Sequence, residues 1–99
     1  MITAAQCRAA RAMLEWSREQ LAEAASLDVH TIASFENRSQ QPDAATREHI
    51  ERTFEENGVA FFPENADGGA GVRLKFNRKE VRAIRKWEGE GGTAADDDV

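Results

Sequence analysis

Residues 18 to 37, REQLAEAASLDVHTIASFEN, hold two short amphipathic helical repeats with so little chain between them that the two helices must lie against each other. Ser17, followed three residues later by Gln20, has the spacing of a capping box and predicts a helix opening at Arg18. Leu21, Ala22 and Ala25 then share one face by the three-and-four rule, while Arg18, Glu19 and Glu23 turn to water. Ala22 is small where two helices must cross closely. The turn falls at Ser26 and Leu27, and Asp28 caps a second helix whose apolar face is Ile32 and Phe35. The other face of that helix carries Val29, His30, Ala33, Ser34 and Asn37.

Such a pair is a helix-turn-helix, and its Leu21-Ala22, Ile32 and Phe35-Glu36-Asn37 positions resemble those of Cro-type and xenobiotic-response-element-type transcriptional regulators over roughly residues 3 to 57. The resemblance implies a mainly α, lambda-repressor-like domain whose second motif helix enters the DNA major groove with its N-terminal residues toward the base edges. It places Val29, His30, Ala33 and Ser34 at the base-contacting positions and Arg18, Asn37 and Arg38 on phosphates. Val29 and Ala33 offer no hydrogen bonds and suit thymine methyl groups, whereas His30 and Ser34 can donate to or accept from several base edges. The turn position that this family usually fills with glycine is Ser26 here, and a non-glycine residue at positive φ costs some stability.

The flanking sequence extends the same logic. Thr3 with Gln6 repeats the capping-box spacing and opens a first helix whose inner side includes Ala10, Met13 and Leu14, with Trp16 plugging the gap before the motif. After the polar loop RSQQP, Pro42 and Asp43 open a fourth helix with Ile50 and Phe54 inward and Gly58 just past its end. VAFF at 59 to 62 and GVRLKF at 71 to 76 then read as two strands joined through PENADGGA. A lone two-stranded hairpin is marginal in water, so it must pack on the helices or pair with another chain. Asn77 with Glu80 can cap a last short helix to about Trp87, and GEGGTAADDDV has the composition of a disordered tail. The expected organisation is a four-helix DNA-binding domain over 1–58, a β-hairpin and short C-terminal helix over 59–87 serving dimerisation, and an acidic tail over 88–99.

Ninety-nine residues make one small domain. The longest apolar runs are a few residues and no secretory leader is readable, so the expectation is a soluble cytoplasmic protein without a membrane span. The single cysteine, Cys7, is expected to be a buried small residue. No Cys-His pair with a third orienting residue, no phosphate-binding glycine loop following a strand and no metal-spaced cluster can be read, which argues against an enzyme and implies neither metal nor cofactor. The net charge of −5 runs against nucleic-acid binding, but it is unevenly spread. Residues 77–87 carry five basic residues and one acid, residues 88–99 five acids, and residues 1–76 eight basic and twelve acidic residues. Arg73, Lys75, Arg78, Lys79, Arg82, Arg85 and Lys86 could therefore add phosphate contacts. The functional expectation is a sequence-specific regulator, a repressor bound to a palindromic operator as a homodimer through 59–87, with double-stranded DNA as partner. The competing reading is an antitoxin or anti-activator that uses the same fold to bind an unknown protein partner.

Overall fold

The structure is a computed structural model that describes residues 1–76. In chain order it comprises α1 (Ala4–Leu14), α2 (Arg18–Ala25), α3 (Val29–Glu36), α4 (Ala44–Glu56), β1 (Val59–Phe62) and β2 (Gly71–Leu74). It is a small, mainly helical domain of four helices and one two-stranded antiparallel sheet. The expected helix between 77 and 87 and the acidic tail lie outside the described residues.

All four helices begin where a short polar side chain can take up an orphaned backbone N–H. Thr3 and Gln6 form a reciprocal capping box, Ser17 and Gln20 form a second, Asp28 accepts from the His30 amide and Asp43 from the Thr46 amide. The first two helices end on left-handed residues, Glu15 at φ 60° and Ser26 at φ 56°. Both perform a termination that glycine would make without steric cost.

The core is built from one stripe of each helix: Ile2, Cys7 and Ala10 from the N-terminal segment and α1, Leu21 and Ala22 from α2, Ile32 and Phe35 from α3, Ile50 and Phe54 from α4. Trp16 stacks on Phe54 at 6.0 Å between ring centroids, and Phe61 meets the same ring edge-on at 5.9 Å. These pairs add roughly 0.5–1.5 kcal/mol each beyond the area they bury. Met13, expected on the inner side of α1, is 42% exposed, because α1 turns its Cys7–Ala10 side to the core.

The hairpin closes this core from its own chain. Its register pairs Val59 with Leu74 and Phe61 with Val72, and Val59 is fully buried while Phe61, Val72 and Leu74 pack on the helical cluster. The amide of buried Gln6 bonds the carbonyls of Phe62 and Gly71 at 3.2 and 2.9 Å, pinning the far end of the hairpin to α1. Gly58 sits at φ 94°, where any side chain would be strained, and starts β1 directly from the end of α4. The second strand stops at Leu74 rather than 76, so Phe76 leaves the apolar face and is 43% exposed. Phe62 is 42% exposed, with the Arg73 guanidinium 5.0 Å from its ring centroid.

Candidate functional site

The α2–turn–α3 unit is held by a short covalent link and a deep contact. Ser26 and Leu27 return their amides to carbonyls of the last turn of α2, at 3.2 Å from Glu23 and 2.9 Å from Ala22. Asp28 then restarts the chain as a helix, its Oδ1 2.8 Å from the His30 amide. Leu21 and Ile32 are fully buried and Phe35 is 1% exposed, so one side of α3 is committed to packing. His49 on α4 is exposed, and its Nε2 lies 2.7 Å from the Ala25 carbonyl, closing the end of α2.

Glu36, the third residue on the inner side of α3, is also buried, at 1% exposure. Arg11 of α1 binds it through two parallel hydrogen bonds, Nε to Oε2 and Nη2 to Oε1, each 2.7 Å. Arg18 of α2 adds a bond from Nε to Oε1 at 3.0 Å, and the Cys7 thiol donates to Oε2 at 3.1 Å. Arg8 reaches the Glu36 backbone carbonyl at 2.7 Å, and Arg11 also bonds the Trp16 carbonyl at 3.0 Å. One carboxylate thereby ties α1, α2 and α3 together and fixes the rotation of α3 about its axis. Burial alone would raise the Glu36 carboxyl, but hydrogen bonds from Arg11, Cys7 and Arg18 and the charge of Arg11 outweigh it and hold the group below its ordinary value. Burial, the hydrogen bond to Glu36 and the charge of that carboxylate push the Cys7 thiol far up. Cys7 is therefore a buried, protonated donor with little nucleophilic character.

The opposite side of α3 is the exposed one. His30, Asn37 and Arg38 are exposed, and Ala33 and Ser34 are half-buried. Val29 is half-buried and packs against the core, which takes part of its side chain away from any external contact. Arg18 was expected to face water and phosphate. It is instead turned onto Glu36, with its Nη2 3.1 Å from the Asn37 Oδ1, so Arg18 and Asn37 form one coupled pair at the C-terminal end of α3. Arg38 adopts a left-handed backbone at φ 62° and swings the chain away from the helix. Ser39 and Gln40 then fold their amides back to the Ser34 carbonyl at 3.0 and 3.4 Å.

That return shapes an open groove of about 320 Å³ along α3, in which His30 and Ser34 are joined by Thr31, Gln40, Gln41 and the first turn of α4. Sequence reading placed His30 and Ser34 correctly on one face but missed Thr31, Gln40 and Gln41, whose only signal was a polar loop of suitable length between two helices. The groove's side chains are short or carry amides, imidazole and hydroxyl groups, a set suited to hydrogen-bonding a polar surface. Asp43 borders it, with its carboxylate engaged by the Thr46 amide; the hydrogen bond from Thr46 holds the Asp43 carboxyl below its ordinary value. Among the described residues no cluster of three His, Cys, Asp or Glu side chains could hold a metal ion, and no helix is long and apolar enough to cross a membrane. No protein-family model matches the chain, and no curated protein matches it significantly.

Proposed function

We propose that the chain is a sequence-specific, double-stranded-DNA-binding transcriptional regulator with a lambda-repressor-like helix-turn-helix, in which α3 is the recognition helix. The observation that carries this reading is the two-sidedness of α3. Ile32, Phe35 and Glu36 lock one side into the core against α1 and α2, while the other side offers His30, Ala33, Ser34 and Asn37, none of them long. A helix with side chains is roughly 10–12 Å across and the major groove of B-DNA about 12 Å wide, so a reading helix must stand clear of its own domain and must not be bulky. Eight residues rise about 12 Å, enough to cross three or four base pairs.

In this docking His30 and Ser34 meet base edges, Ala33 and the free part of Val29 meet thymine methyl groups, and Asn37, held by Arg18, and Arg38 lie on phosphates. With short readers, part of the specificity comes from DNA shape rather than bidentate contacts. Repression from a palindromic site requires a dimer, for which Phe62 and Phe76, exposed on the hairpin, offer an apolar surface. One observation favours a protein partner instead. The twelve acidic against eight basic residues of 1–76 give a net charge of −4, a poor start for counterion displacement. Fluorescence anisotropy with a mixed duplex pool, read from low to moderate salt, separates the two. Binding that weakens linearly in log salt supports DNA recognition, and no binding even at low salt transfers the fold to the antitoxin or anti-activator reading.

A further inference from the structure

A second groove, of about 460 Å³, lies between the N-terminal segment and the loop that follows α3. It is lined by Met1, Thr3, Phe35, Arg38, Gln41 and Arg47 among others, and no acidic residue lines it. Gln41 also lines the groove along α3, so the two grooves are neighbours that share this residue. The guanidinium groups come from different elements. Arg38 is at the left-handed exit from α3, and Arg47 is in the first turns of α4, its backbone amide on the Asp43 carbonyl. Neither forms a salt bridge among the described residues, and the Nε of Arg47 is buried without a hydrogen-bond partner. A buried guanidinium N–H without an acceptor is costly; the Arg47 Nε is itself closed to solvent, so Arg47 contributes as a groove-lining cation that, unlike Arg11 and Arg18, has no carboxylate partner among the described residues.

We propose that this groove is a phosphoryl-oxyanion site in which Arg38 and Arg47 are the cationic ligands and Thr3 and Gln41 neutral donors, and that on DNA it receives a backbone phosphate flanking the bases met by α3. Its DNA role rests on the reading given under Proposed function; its affinity for an oxyanion does not. Guanidinium groups are the side chains best matched to phosphate oxygens. The site extends the DNA footprint beyond the helix pair to the N-terminal segment, and makes Arg47 a positioning residue that carries no base preference of its own.

The test has two arms on the full chain. In the first, inorganic phosphate is titrated at constant ionic strength against a chloride control, and the side-chain Nε–H signals of Arg38 and Arg47 are followed by NMR. Saturable shifts of both in phosphate alone support the site, and shifts matched in chloride overturn it. In the second, the salt slope of DNA binding is compared for wild type, Arg47→Gln and Arg47→Lys. Loss of one phosphate contact should flatten the slope by about one unit in Arg47→Gln, equivalent to about eightfold weaker binding at 0.1 M salt, and leave base preference unchanged. Arg47→Lys keeps the charge and should hold a slope near wild type, which separates a lost contact from a lost fold. Wild type that binds DNA with an unchanged slope in Arg47→Gln overturns the phosphate assignment while the DNA reading stands. Phosphate-specific shifts in a chain that binds no DNA support the oxyanion site and overturn the DNA reading.

Discussion

Glu36→Gln tests whether the buried carboxylate sets α3 in place. The side chain of Glu36 is fully buried, that of Arg11 is 18% exposed and that of Arg18 34%. Glutamine preserves the volume, so no cavity forms, but the charge that compensates Arg11 is removed. Arg18 is exposed enough to recover water, whereas Arg11, gripped from both sides by Glu36 and the Trp16 carbonyl, is not. Removing one partner of a buried pair costs about 3–5 kcal/mol, and the partial exposure of Arg11 puts this case near the lower end, about 3 kcal/mol. Against a total of roughly 5–10 kcal/mol for a domain of this size, that is a large fraction. It corresponds to roughly 12–24 °C in melting temperature. The assay is urea unfolding at neutral pH followed by far-ultraviolet circular dichroism, with the double variant Glu36→Leu/Arg11→Met as control, since replacing both partners with apolar groups should recover most of the loss. Because the folded carboxyl lies below its unfolded value of about 4.3, its contribution is fully present above that pH and is lost as pH falls through the folded value. Wild type should therefore weaken as pH drops below about 4, and Glu36→Gln should lack that part of the decline. A loss under about 1 kcal/mol at neutral pH would refute the account of how α3 is held.

Ser26→Gly removes a left-handed strain of about 1–2 kcal/mol but loosens the unfolded chain by about 0.4–1 kcal/mol, so thermal melts should show a gain of up to about 1.6 kcal/mol; a loss would mean that the serine side chain contributes something the backbone geometry does not reveal. Phe35→Ala should cost about 3–5 kcal/mol in chemical denaturation, and an equally stable variant would remove Phe35 from the core. Phe62→Glu/Phe76→Glu should convert a dimer seen by light scattering at micromolar concentration into a folded monomer, because these are the large exposed apolar side chains of the hairpin. A wild type that is already monomeric, or a double variant that stays dimeric, would take the pairing surface away from the hairpin.

The helices were legible because each opens on a cap that is itself a short-range signal. Thr3, Ser17, Asp28 and Asp43 were readable from spacing alone and all four cap as expected. The hairpin was legible from its β-branched and aromatic residues, but its placement was not. Hydrophobic alternation says which side of a strand is buried without saying against what, and here Val59 and Phe61 meet the chain's own Phe54 and core rather than a second copy. Glu36 is legible only as part of a motif. Its burial depends on two arginines, 25 and 18 residues earlier in the chain, that no local pattern links to it. For the same reason Arg18 was legible as an exposed helix position but not as a residue already engaged. Arg47 and the glutamines of the loop acquire their surroundings from the placement of α4 beside α3, a non-local arrangement that no helical period encodes.

Selection from a random duplex pool, run side by side for wild type and for a His30→Ala/Ser34→Ala variant, tests most directly that the exposed side of α3 reads DNA. An enriched site is expected for wild type, and for the variant a change in preference confined to two or three base pairs at about 1–3 kcal/mol per lost contact, with overall folding intact. Enrichment that is identical for the two proteins, or no enrichment by a folded wild type, would contradict a DNA-reading role for α3.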